Sequence, residues 1–120
     1  MNVLTLAYLG DAYLELHIRE LLIQQGISKV NDLQKKAIGY VSAKSQASMV
    51  TKLLDEGFFT EEETAIFYRA RNHKSHKSPK NTDVITYKIA TGLEAIIGYW
   101  FLENKNRMNE FMEQIKKYEW

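Results

Sequence analysis

Cysteine is absent from the 120 residues, and proline occurs once. Without thiols there is no disulfide framework, no thiolate metal centre and no cysteine nucleophile, and three histidines leave little scope for an imidazole cage. A reducing compartment is the natural expectation. Also missing is any run approaching the ~18 apolar residues of a membrane span, and the N-terminus lacks a basic start, an apolar core and a cleavage site. The chain is therefore expected to be soluble and cytoplasmic, with no membrane partner.

What is present belongs to a globular protein. With 45% hydrophobic and 26% charged residues the chain is neither disordered nor collagen-like. Domains of ~100–150 residues are the commonest size, so residues 1–120 are expected to form a single domain. The near-neutral net charge of +1 conceals an uneven distribution. Met1 to Tyr68 holds six basic and nine acidic residues, Arg69 to Lys88 six basic and one acidic, and Ile89 to Trp120 four basic and five acidic. The middle segment alone is strongly basic.

Hydrophobic periodicity is helical throughout. Leu4 to Gln25 is apolar nearly all round a 3.6-residue helix, which predicts central burial, and Gly26 is placed to stop it. Asn31 or Asp32 is expected to cap a second helix from about Leu33, and Ala37 to Leu54 carries a further amphipathic pattern, in one helix or two, ended by Asp55-Glu56-Gly57. Thr60 followed by Glu63 is a capping box, predicting a helix from Glu61. Apolar content vanishes from Arg69 to Lys80, an expected exposed basic loop, and returns from Asp83 through Leu102 and again from Met108 to Tyr118. No alternating run bounded by hairpin dipeptides occurs, so the fold class is all-α, a helical bundle.

Two carboxylates interrupt the apolar stripes. Asp11 falls at almost the angle of Leu4, Ile18 and Leu22, and Glu94 lies in line with Ala90, Ile97 and Phe101. An ionised carboxylate removed from water persists only if it is paired, hydrogen-bonded, protonated or bound to a metal. Taken singly, Asp11 reads as a cap at a helix break at Gly10, and Glu94 as the partner of a core Lys or Tyr hydroxyl. Taken together with a separate basic loop, the two acids point to a divalent-cation site serving a phosphate substrate, because Mg²⁺ takes one or two carboxylates and completes its shell with waters and phosphate oxygens. In the loop, Arg69, Arg71, Lys74, Lys77 and Lys80 alternate with small polar residues, and aromatic residues are absent apart from Tyr68. That composition suits a solvated loop, or contact with the backbone of a duplex rather than stacking on single-stranded bases.

The stretch Leu6-Ala7-Tyr8-Leu9-Gly10-Asp11-Ala12-Tyr13-Leu14-Glu15 resembles the signature helix of the ribonuclease III domain, whose core is Leu-Gly-Asp. Ile89-Ala90-Thr91-Gly92-Leu93-Glu94-Ala95-Ile96-Ile97-Gly98 is similar to the family's late motif, Ala-Asp-x-x-Glu-Ala-x-x-Gly. Two positions depart from the family: Ala7 stands where a Glu is usual and Thr91 where an Asp is usual, so only Asp11 and Glu94 match as acids. With no room for a double-stranded-RNA-binding domain, and with the stretches Ser42–Ala47 and Pro79–Val84, the chain resembles the Mini-III branch, bacterial catalytic domains that mature the ends of large-subunit ribosomal RNA.

This resemblance implies a homodimer whose signature helices pack across a two-fold axis, each subunit cutting one strand of double-stranded RNA. Asp11 and Glu94 would be the catalytic residues and would hold Mg²⁺, with Mn²⁺ a plausible substitute, for attack of water on the scissile phosphodiester, leaving 5′-phosphate and 3′-hydroxyl ends. Arg69, Arg71, Lys74, Lys77 and Lys80 would grip phosphates beside the cut. Precursor ribosomal RNA is the expected substrate, with a ribosomal protein as a candidate helper. Lys44 and Gln46 either orient a water or phosphate or lie on an ordinary exposed helix face. Glu15, one turn after Asp11, is expected to pair with a neighbouring cation. The alternative is a catalytically silent module of the same fold that binds structured RNA or a ribosomal component.

Overall fold

In a computed structural model that describes residues 1–74 and 83–118, the chain forms six helices and, among those residues, no strand. They are α1 (Val3–Gln24), α2 (Val30–Val41), α3 (Ala43–Asp55), α4 (Glu61–Arg71), α5 (Val84–Glu103) and α6 (Lys105–Ile115). The all-α expectation holds, and most boundaries follow from side-chain chemistry. Gly26 and Gly57 take left-handed φ values of 94° and 72° just after α1 and α3, a conformation that other residues enter only at a cost. The capping box closes on itself: the Thr60 hydroxyl accepts from the Glu63 N–H and the Glu63 carboxylate from the Thr60 N–H, both at 3.1 Å. Asp83 caps α5 by accepting from the Thr86 N–H at 2.8 Å.

Three expectations are sharpened or corrected, the second of them having left one helix or two open. Helix α2 starts three residues earlier than about Leu33, at Val30, and its cap position is Lys29, with no side-chain hydrogen bond. Asn31 and Asp32 therefore lie in its first turn, where Asp32 faces the positive end of the helix dipole. The 37–54 pattern is two helices that share Ser42 as a hinge. This residue has extended backbone (ψ 153°), ends α2 and caps α3 through its Oγ, which accepts from the Ser45 N–H at 3.2 Å. The third correction concerns α1, which is not buried all round: Tyr8 is 84% exposed, Leu16 63% and Ile23 59%.

The central helix is α5. Ala90 to Leu93 and Ala95 to Gly98 are buried, and α5 packs against α1, α3, α4 and α6. Its core neighbours include Leu14, Ile18, Met49, Leu53, Phe111 and Ile115, all fully buried. Helix α4 runs antiparallel to α5: Glu63 meets Trp100, while Phe67 lies over Gly92. The C-terminal end of α4 therefore points toward the start of α5.

Candidate active site

The two motif helices meet backbone to backbone. A Cβ added at Gly10 would lie 1.7 Å from the Glu94 carbonyl oxygen, and one added at Gly98 would lie 2.0 Å from the Leu6 carbonyl oxygen. No other residue type fits at either position without moving a helix. The glycine of Leu9-Gly10-Asp11 thus lets α1 lie directly on α5, and the next residue, Asp11, comes alongside Glu94.

Helix α1 is continuous through Gly10, so Asp11 caps no break. Asp11 is exposed rather than set in a core stripe, and Glu94 is half-buried. The two carboxyl groups lie within hydrogen-bonding reach. Burial, the hydrogen bond to Asp11 and the Asp11 charge together push Glu94 up to about 8, against an opposing hydrogen bond from Gln46, and the charge of Glu15 pushes the same way. Among the described residues Glu94 therefore has neither the core Lys nor the Tyr hydroxyl partner that the single-residue reading expected. Its neighbours are a second acid and one amide.

That amide is the feature the sequence did not reveal. Gln46 is 2% exposed, and its Nε2 donates to the Val41 carbonyl at 2.9 Å and to Glu94 Oε2 at 3.3 Å. Of the pair singled out in the Ser42–Ala47 stretch, Lys44 lies on the exposed face and Gln46 points inward. Glu15 pairs with Arg19 at 2.9 Å, as expected of an i,i+4 couple.

A third acid, Glu63, is nearly fully buried (3% exposed), and it differs in kind. Its oxygens accept from Trp100 Nε1 at 2.8 Å, Arg107 Nε at 2.9 Å, Arg107 Nη2 at 2.7 Å and the Thr60 N–H. Burial alone would raise its pKa, but hydrogen bonds from Arg107, Trp100 and Thr60 overcome that and leave it below the usual carboxylate range. Every lone pair it offers is used, so Glu63 ties α4 to α5 and α6 and holds nothing else. Its sequence signal was the capping box alone, which says nothing of Arg107, 44 residues away.

Asp11 and Glu94 make a poor anion pair and a good cation site. Two hard oxygen donors face each other, and one of them keeps its proton for want of a positive neighbour. Among the described residues no three His, Cys, Asp or Glu side chains converge. The pair thus fits an ion such as Mg²⁺, which retains waters and takes substrate oxygens, rather than one needing an all-protein cage. The two positions that depart from the ribonuclease III pattern supply no further ligand. Ala7 is buried in the core, and the Thr91 hydroxyl is turned back onto its own helix, donating to the Tyr87 carbonyl at 3.0 Å.

Of the basic residues, Arg69 and Arg71 lie in the last turn of α4 rather than in a loop, and Lys74 follows it exposed. Arg71 donates to Asn72 Oδ1 at 3.1 Å. Lys77 and Lys80 lie outside the described residues. The antiparallel register of α4 and α5 carries the basic end of α4 toward the part of α5 that precedes Glu94. A separate apolar surface runs along α1 and α2 through Tyr8, Leu16, Ile23, Val30 and Ile38, with a groove of about 440 Å³ lined by Ile23, Val30, Leu33, Ala37, Ile38 and Val41. Among the described residues no helix is long and apolar enough to cross a membrane.

Comparison with known proteins agrees with this geometry. Residues 4–105 match the family described as the Ribonuclease III domain. The chain is 46% identical over 113 residues to the Mini-ribonuclease 3 of Enterococcus faecalis, covering 93% of this chain and 86% of the relative. It is 44% identical over 110 residues to that of Staphylococcus aureus, covering 92% and 82%. A protein of Fusobacterium nucleatum solved by X-ray crystallography superposes with a TM-score of 0.87 at 35% identity, covering 98% of this chain and 94% of that one. With both motifs, the helical order and the glycine crossing accounted for, the chain belongs to the ribonuclease III family of endoribonucleases, in its Mini-ribonuclease 3 branch.

Proposed function

We propose that this chain is a Mg²⁺-dependent endoribonuclease that cuts double-stranded RNA and matures the ends of large-subunit ribosomal RNA, leaving 5′-phosphate and 3′-hydroxyl termini. The observation that carries the reading is the meeting of Asp11 and Glu94 at the glycine crossing of α1 and α5, two carboxyls with no cationic partner among the described residues. In this reading Asp11 and Glu94 are the catalytic residues and hold the metal, and residues 1–120 act as one catalytic domain in the cytoplasm. The cation, Mg²⁺ or Mn²⁺, supplies a Lewis acid that favours attack of water on the phosphodiester and stabilises charge on the departing oxygen. Asp11 and Glu94 would hold the ion from two facing helices, α1 and α5. With Ala7 and Thr91 in place of acids, the chain would supply two carboxylates and leave further positions to water or phosphate oxygens.

Arg69, Arg71 and Lys74, continued by Lys77 and Lys80, grip the phosphates of the duplex, which gives affinity without base identity. The exposed apolar face of α1 and α2 is the seam of a homodimer that sets two sites against the two strands. Precursor ribosomal RNA, shaped by a ribosomal protein, is the substrate.

The test is cleavage of a long duplex RNA by wild type, Asp11→Asn and Glu94→Gln, with Mg²⁺ and with excess chelator, and with duplex binding followed in Ca²⁺. Wild type is expected to cut only with the metal. Both variants are expected to bind and to cut roughly a hundredfold more slowly or worse, the scale of lost metal assistance. Binding without any cutting by wild type, even of ribosomal precursor RNA, would replace this reading with the silent RNA-binding module, which the two absent acids favour.

A further inference from the structure

We propose that Gln46 is a positioning residue for Glu94, a clamp between the end of α2 and the metal-binding carboxylate. The inference rests on the proposed role of Asp11 and Glu94 and goes beyond it. It begins with a helix terminus. Val41 is the last residue of α2, so its carbonyl has no partner within that helix. Gln46 sits one turn into α3, beyond the Ser42 hinge, and turns its amide back to serve that carbonyl at 2.9 Å.

A carbonyl only accepts, so the amide must present its NH₂ group to Val41. The second hydrogen of the same nitrogen then faces Glu94 Oε2 at 3.3 Å. The opposite amide orientation would set Gln46 Oε1 against two acceptors. The direction of the bond to Glu94 is therefore fixed by backbone geometry on the other side of the amide.

The arrangement carries a defect that a purely structural residue would not keep. Gln46 Oε1 is buried and has no hydrogen-bond partner among the described residues. An acceptor buried without a donor works against folding, and an apolar side chain of the same length would fill the space without it. What such a side chain would lack is the N–H on the Val41 carbonyl and, from the same nitrogen, the N–H on Glu94. Without the second, Glu94 has only Asp11 beside it, on the facing helix, and, among the described residues, no hydrogen bond that ties it to α2 and α3. Partners that orient a metal-binding carboxylate commonly change metal affinity or turnover by roughly 10–100-fold when removed. Through Val41, which also lines the α1–α2 groove, the clamp joins that surface to the site.

The experiment compares wild type with Gln46→Met, which keeps length and volume but donates nothing. Mn²⁺ affinity of the metal-free protein is read by electron paramagnetic resonance titration without RNA, alongside kcat and KM on duplex RNA, duplex Kd in Ca²⁺, and Tm. The expected result is Mn²⁺ binding weakened about tenfold and kcat lowered about tenfold. KM and duplex Kd should stay within about twofold, and Tm should shift by a few degrees at most, because removing the unpaired Oε1 offsets the loss of the bond to the Val41 carbonyl. Gln46→Asn, polar but too short to reach both partners, is expected to weaken Mn²⁺ binding likewise and serves if the Met variant does not fold. Equal Mn²⁺ affinity and kcat in wild type and variant would overturn the proposal, as would a lower Tm with Mn²⁺ affinity unchanged. If wild type itself neither binds Mn²⁺ nor cuts, the metal-site reading falls and takes this one with it. If wild type does both and Gln46→Met matches it, only the role of Gln46 falls.

Discussion

Glu63 and Glu94 are both held away from water on helices of one core, yet they do opposite things. Glu63 is the more buried, and its carboxylate is met by a guanidinium, an indole N–H and a backbone N–H. Glu94 is less buried, and it meets another carboxyl and a single amide. The first stays charged because Arg107, Trp100 and Thr60 offset its burial, whereas burial and the neighbouring Asp11 favour a proton on the second. Depth alone would have ranked them in the wrong order. What marks a site that acts on a ligand is unsatisfied demand, here for positive charge.

The largest effect that would break this contrast lies at Glu63. Glu63→Ala removes the acceptor of the Trp100 N–H and two of the bonds of Arg107, which keeps Glu110 and the Phe58 carbonyl, so the cost should fall at the low end for a broken buried pair, roughly 3 kcal/mol. Thermal unfolding should show a drop in Tm of about 10 °C or more. Cleavage per folded molecule, measured well below the new Tm, should change little. The roles would need to be reversed if the variant kept its Tm and lost activity.

The next largest effect is the pH dependence at Glu94. Its pKa is raised from 4.5 to about 8, so between those values the folded protein keeps a proton that the unfolded chain has released. Stability of the metal-free protein therefore falls as pH rises through that window and levels off above it. Glu94→Gln removes the term. Its Tm should exceed that of wild type at pH 8.5 by a few degrees and match it near pH 4.5, and Mg²⁺ should restore wild type at the higher pH. Parallel Tm curves for the two proteins across the window would refute the proton on Glu94.

Much of this was legible in the sequence. Asp11 and Glu94 stood out because each broke an apolar stripe, whereas Gly10 read as a helix break and its part in the crossing showed only in three dimensions. Thr60 and Glu63 announced their helix because a capping box is local. The start of α2 was not legible, since Lys29 caps it with no side-chain bond and Asn31 and Asp32 offered better-looking candidates. The partners of Gln46 and Glu63 lie up to 48 and 44 residues away, and no local pattern encodes such pairs. The exposed side of α1 reads as core because an apolar face awaiting a partner and one already buried have the same composition.

The smallest effect belongs to the basic end of α4. Arg69→Gln with Arg71→Gln should flatten the log–log salt dependence of duplex binding by about 1–2, each phosphate contact contributing roughly 0.7–0.9. An unchanged slope would place the duplex elsewhere. Neither substitution should alter the metal requirement, since Arg69 and Arg71 lie on α4 and the two carboxyls on α1 and α5.

The glycine contact between α1 and α5 also determines how the site responds to change elsewhere. With no side chain between Gly10 and the Glu94 carbonyl, or between Gly98 and that of Leu6, the spacing of the two carboxyls is set by the thickness of the main chain itself. Leu, Ile and Met positions around the crossing can exchange volume over evolutionary time, tightening or loosening the bundle, and the two acids keep the same separation. Sequence drift in the core then acts on how long the protein lasts rather than on where it can cut.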